Sequence, residues 1–268
     1  MSLSLLVEQL PILIPAFLAG LLVLATHVPL GAEILRRGII FMDLAIAQTA
    51  AAGIILGRWA ATNGLLPGEG AHGHGGGGRE QLLAYGSAIA GAALLYTSRR
   101  ASARVQEALI GSLFVLAATG GILLLSGNPH GGEQLKEALV GQILWIQPRE
   151  LVPTAVISLL VLIASLGFRR RMGEFGFYPL FAVAVTLSTQ LVGIYLVFAT
   201  LIIPALAARG YSRHLAAAYL VGIAGYASGL AVSALLDLPS GAAIVWLLAA
   251  WGGAAWLGQR LLRGGFVR

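Results

Sequence analysis

The feature that most restricts this chain is a succession of long apolar runs separated by short arginine-bearing turns. The runs lie near residues 10–27, 39–57, 81–97, 108–126, 151–168, 177–208, 214–236 and 240–258. A bilayer core about 30 Å thick is crossed by roughly 20 apolar residues of helix, each adding about 1.5 Å. Hydrocarbon offers backbone N–H and C=O groups no partner, so runs of this length must satisfy themselves as helices. The expectation is an all-α polytopic membrane protein, with residues 1–268 forming a single transmembrane domain.

Composition excludes the competing classes. Charged residues make up only 10% of the chain and hydrophobic ones 58%, against roughly 25% charged in a soluble domain. So little charge cannot coat a water-facing surface, and so much apolar side chain is incompatible with disorder. Because the hydrophobicity runs the whole length, a soluble domain on one anchor is excluded too. The net charge of +6 does not point to nucleic acid, because the basic residues sit in clusters between spans, where they orient helices. Cysteine is absent, which removes disulfides, thiolate metal sites and thiol catalysis. The opening Met-Ser-Leu-Ser-Leu-Leu-Val-Glu has neither a basic region nor a small-residue cleavage site, so no removable signal peptide is expected.

The run from Phe177 to Ala208 is too long for one span and holds Gly193 and Pro204. It is either two short helices or one helix with a broken return, which gives eight or nine spans. Arg36, Arg37, Arg99, Arg100, Arg104, Arg169 to Arg171, Arg209, Arg213, Arg260, Arg263 and Arg268 fall in alternate connections, thirteen in all. The opposite connections hold four basic residues, Arg58, Arg79, Lys136 and Arg149. That asymmetry places the first set in the cytoplasm. The N-terminus is then outside and the C-terminus cytoplasmic, which requires an odd number of spans and favours nine.

Two connections read as non-membrane. Residues 58–80 contain Pro67-Gly68-Glu69-Gly70-Ala71-His72-Gly73-His74 and four further glycines. This Gly/His-rich stretch is expected to be a flexible external loop, either a spacer or a weak catcher of metal. Ser126 to Glu133 is turn-rich, and Leu135 to Ile146 after it is too short to span. It is expected to be an interfacial or re-entrant helix with Trp145 at headgroup depth.

Polar groups at membrane depth are costly and mark pathways. His27 lies nine residues before Arg36, about 13 Å of helix and hence near mid-membrane; Glu33 is nearer the cytoplasmic face. Asp43 and Gln48 lie on the second run and Gln190 on the sixth. His27 and Asp43 are expected to serve transport. Gln48 and Gln190 either join the path or hydrogen-bond neighbouring helices. The small residues Ala45, Ala47, Thr49 to Ala52 and Gly53 let helices pack closely or leave room for a pore. No Gly-x-x-x-x-Gly-Lys-Ser/Thr, Gly-x-Ser-x-Gly or His-Glu-x-x-His is present, so any ATP hydrolysis belongs to another chain.

Four stretches carry a resemblance. They are Leu35-Arg36-Arg37-Gly38-Ile39-Ile40-Phe41-Met42-Asp43-Leu44-Ala45-Ile46-Ala47-Gln48, Glu107-Ala108-Leu109-Ile110-Gly111, the run Leu191 to Ala205, and Asp237-Leu238-Pro239-Ser240-Gly241-Ala242. In this order and spacing they resemble the permease subunits of bacterial ABC importers for zinc, manganese and iron. The resemblance implies a type II, cobalamin-importer-like ABC permease fold working as a homodimer in the bacterial inner membrane. It implies cytoplasmic ATP-binding subunits, a periplasmic metal-binding protein, and a transported divalent metal ion, zinc ahead of manganese or iron. No cofactor is expected in this chain and no nucleic acid as partner; membrane lipid surrounds it.

His27, Asp43 and Gln48 are the candidate residues of the metal path. Members of the family carry Gly-Asp-x-Leu-Ala-His on the second helix, and in an ungapped match Leu44 stands at the Asp position and Gln48 at the His position. Asp43 and Gln48 are five apart, about 140° around a helix, so they do not form that pair. The family docks its ATPase on a longer segment before the sixth helix; here it is Arg169 to Gly176, with Arg170, Glu174 and Phe175 as candidate contacts. That shortness keeps open a stand-alone secondary transporter or a non-transporting membrane partner protein.

Overall fold

A computed structural model describes residues 3–63, 78–98, 102–141, 143–167 and 174–264. Among these residues it contains ten α-helices, one 3-10 turn and no strand. The helices are α1 (Leu3–Arg37), α2 (Met42–Thr62), α3 (Gly78–Thr97), α4 (Ala103–Leu125), α5 (Gly131–Val140), α6 (Pro148–Gly167), α7 (Glu174–Val192), α8 (Ile194–Ala207), α9 (His214–Leu236) and α10 (Ser240–Gly264). Six of them, α1, α2, α4, α6, α9 and α10, are long and apolar enough to cross a membrane. The all-helical polytopic architecture expected from the apolar runs is therefore the one observed.

The long sixth run resolves into two helices. Gly193 has φ +80°, a conformation that glycine adopts without a Cβ clash, and it ends α7 and starts α8. With 14 residues, α8 is about 21 Å long, too short to span alone. The stretch 135–146 is also divided, where one helix was expected: α5 stops at Val140, Gly141 has φ +71°, and Ile143–Trp145 forms the 3-10 turn. Trp145 is strongly exposed.

The chain folds as two compact units. The first comprises Met1–Ile40, Val140–Leu166 and Leu191–Arg268, and the second Phe41–Leu139 and Gly167–Gln190. In the first unit α1 packs on α8 and α9, and α10 packs on α8 and α9. Small residues permit the closeness: a Cβ on Gly31 of α1 would collide with the Leu201 carbonyl oxygen of α8. Pro29 lies inside α1 and lacks the N–H that would bond the Ala25 carbonyl one turn earlier. The Tyr219 hydroxyl of α9 donates to that carbonyl at 3.0 Å. The defect in one helix thus becomes a bond to its neighbour. The two helix breaks also meet here: Cβ atoms on Gly141 and Gly193 would each run into the other's backbone.

In the second unit α2 packs against α3 and α4. Gly53 lies so near Leu83 and Ser87 that a Cβ would clash, and the Ser87 hydroxyl donates to the Thr49 carbonyl at 2.8 Å. The small residues of α2 serve close helix packing on this face. At the start of α7, Tyr178 meets Tyr96 edge to face at 5.6 Å and accepts a hydrogen bond from Gln106 Nε2 at 3.2 Å.

Candidate functional site

His27, in the first unit, is completely buried. Its Nδ1 lies 3.0 Å from the Val23 carbonyl oxygen one turn earlier and 3.0 Å from the Thr26 hydroxyl. A carbonyl only accepts, so Nδ1 of the neutral ring carries the proton and Nε2 presents its lone pair. Nε2 is buried and has no partner. A backbone carbonyl that fixes the ring in this tautomer is the usual support of a histidine that binds a cation.

Asp43, in the second unit, is also completely buried, on the first turn of α2. Acids are common there because the helix N-terminus attracts negative charge and offers free N–H groups. Asp43 takes none of them: both carboxylate oxygens are buried without a hydrogen-bond partner. A buried carboxylate is normally paired or coordinated, since leaving it alone costs several kcal/mol.

Gln48 is buried further along α2, five residues from Asp43 and so on a different side of the helix. Gln190 is exposed on α7. Two hydroxyls that the sequence reading passed over belong with the second unit: Thr186 and Thr189 of α7 are buried, and their Oγ1 atoms lack partners. The polar run Thr186-Leu187-Ser188-Thr189-Gln190 inside an apolar helix was the available signal.

Among the described residues, no three His, Asp or Glu side chains come together as a metal cage. Arg170 lies outside the described residues, as do residues 64–77 of the Gly/His-rich loop. Glu174 and Phe175 open α7, but their side chains also lie outside what is described. Near that loop, Arg58 Nε donates to Glu80 Oε2 at 3.2 Å, tying the end of α2 to the start of α3.

A family model described as the ABC 3 transport family matches residues 9–179 and 165–252. Among solved structures, PsaBC from Streptococcus pneumoniae in complex with Fab is similar at 21% sequence identity with a TM-score of 0.72, over 98% of this chain and 99% of that one. A structure described as an inward-facing conformation of a metal-chelate type ABC transporter is similar at 17% identity and TM-score 0.60, over 91% of this chain and 85% of that one. At such identities the likeness is one of fold, and it is the fold expected from the resemblance. No curated protein matches the sequence.

Proposed function

Because the chain belongs to the ABC 3 transport family, we propose that it is the membrane permease of an ATP-driven importer of divalent metal ions. The resemblance seen in the arginine turn, the α8 segment and the Asp237 turn is borne out at the level of the family. A permease of this kind is not itself catalytic: ATP is hydrolysed on cytoplasmic ATP-binding subunits, and a periplasmic binding protein delivers the ion. The permease works as a homodimer, and metal passes by alternating access along the dimer axis. Its N-terminus is outside and its C-terminus cytoplasmic, as the arginine asymmetry supports.

The observation that carries a metal path is Asp43, a buried carboxylate on a membrane helix with both oxygens unpartnered. A passing cation supplies the missing partner. Among the described residues, the side-chain groups buried without partners are the His27 imidazole nitrogen, the Asp43 carboxylate and the Thr186 and Thr189 hydroxyls; imidazole nitrogen is a ligand that zinc accepts readily. The imidazole supports zinc ahead of manganese, which prefers oxygen ligands. The segment Arg169 to Gly176 is the proposed ATPase dock, with Phe175 as apolar anchor and Glu174 and Arg170 at its rim.

The test is reconstitution of the permease with its ATP-binding subunit in proteoliposomes. ATP-dependent uptake of radioactive zinc, competed weakly by manganese, is expected. Recovery of the permease alone from mild detergent, without an ATP-binding subunit, overturns the coupling. Uptake without ATP overturns it as well.

A further inference from the structure

Within the first unit, α8 and α10 leave a cleft of about 710 Å³ between them. Ile203 and Leu206 form one apolar wall, and Ala249, Gly253 and Trp256 the other. Arg209, just past the end of α8, brings a charge onto the lining. Arg260 stands over the Trp256 ring at 4.1 Å, so a second guanidinium is held on a lining residue. The frame is fixed by two bonds between the elements: Gln259 Nε2 donates to the Ala207 carbonyl at 3.1 Å, and the Tyr211 hydroxyl to the Ala255 carbonyl at 2.8 Å. Among the described residues, neither Arg209 nor Arg260 is paired with a carboxylate.

We propose that this cleft is a binding site for an anionic phospholipid, with an acyl chain between α8 and α10 and the phosphate against Arg209 and Arg260. The volume falls within the roughly 300–1,000 Å³ typical of sites for small ligands. An apolar void on a membrane-spanning helix is filled by hydrocarbon rather than water. A Cβ added to Gly253 would meet no atom within 4 Å, so the void lies open at that position. Guanidinium groups bind phosphate oxygens with paired N–H donors, and basic pockets between helices near the membrane surface recognise anionic headgroups. The charge also disfavours a second copy of the chain as occupant. A two-fold contact would bring the same arginines of both copies to one patch, and the lining holds no acid to offset them.

The experiment measures lipid carried by the full-length protein from mild detergent, by native mass spectrometry and thermal unfolding, with dioleoyl phosphatidylglycerol or dioleoyl phosphatidylcholine added. Wild type is expected to retain phosphatidylglycerol and gain thermal stability from it, with little response to phosphatidylcholine. Arg209→Gln and Arg260→Gln should each weaken retention roughly fivefold. Gly253→Leu fills the cleft where no protein atom stands, and should lose the lipid while remaining folded. Equal retention of both lipids overturns the proposal. So does retention that survives the two arginine changes, whatever Gly253→Leu does. A loss of dimer mass without a change in bound lipid assigns the cleft to a second copy and overturns it too.

Discussion

Substituting Asp43 with leucine exchanges a carboxylate for an apolar side chain of similar branched shape, at a position that is 0% exposed. Both oxygens removed are buried without partners. A neutral acid left unsatisfied costs about 1–3 kcal/mol and an ionised one several. Against this stands the attraction between an acid and the first turn of its helix, about 0.3–1 kcal/mol. Taken at mid-range, these terms make the leucine variant more stable than wild type by about 1 kcal/mol, a roughly fivefold change in the unfolding equilibrium. Unfolding in detergent followed by tryptophan fluorescence measures this. The same variant, like Asp43→Ala, should take up no zinc in ATP-driven proteoliposomes. A residue that lowers stability yet is needed for uptake is one kept for function. Normal uptake by Asp43→Leu refutes the path assignment, and a loss of stability refutes the claim that the carboxylate is unpartnered.

Three further outcomes follow from packing and coupling. Tyr219→Phe leaves the Ala25 carbonyl without its donor and should cost about 1–2 kcal/mol; in a Pro29→Ala background, where residue 29 regains an N–H, the same change should cost almost nothing, as a double-mutant cycle on thermal unfolding will show. Gly193→Ala puts a Cβ 2.6 Å from the Val140 carbonyl carbon at φ +80° and should abolish folded yield on size exclusion, whereas Gly38→Ala, at φ +74° with nothing within 4 Å, should cost only about 1–3 kcal/mol of backbone strain. Phe175→Ala should lower association with the ATP-binding subunit at least roughly tenfold while Arg170→Ala barely changes it, and full association by both in a pull-down removes the segment from the coupling role.

Much of the fold was legible because membrane helices announce themselves by length. Gly193 and Pro204 marked the sixth run as irregular, and Gly193 proved to be the break. Gly141 carries no such mark in the sequence, where Leu135 to Ile146 reads as one helix. The reason is tertiary. A glycine at positive φ is unremarkable in sequence until the backbone it touches is known, and Gly141 is required by Val192 and Gly193 about fifty residues away. The small residues of α2 were read as either packing or pore, and Gly53, Thr49 and Ser87 show close packing on the α3 side. Pro29 offered no hint that Tyr219 would answer it, since nothing in the sequence ties a proline to a tyrosine on a later helix.

The candidate path was legible in residue type but not in rank. Glu33 and Asp43 look alike in sequence, acids flanking Arg36 and Arg37. The spacing of Glu33 to both arginines is the three and four of a helix face, and Glu33 indeed accepts from Arg36 Nε at 2.9 Å and Arg37 Nε at 2.7 Å. That satisfaction was calculable from spacing, and it removes Glu33 as a group awaiting a cation. For Asp43 no such calculation exists, because lacking a partner is a property of everything packed around it. The same test separates the other candidates. His27 keeps a free Nε2 behind a bonded Nδ1, whereas Gln190 is exposed to the surroundings of the chain. A cation on its way through has most to gain at the groups the fold buries and leaves unpaired, which puts Asp43 and His27 ahead of either glutamine.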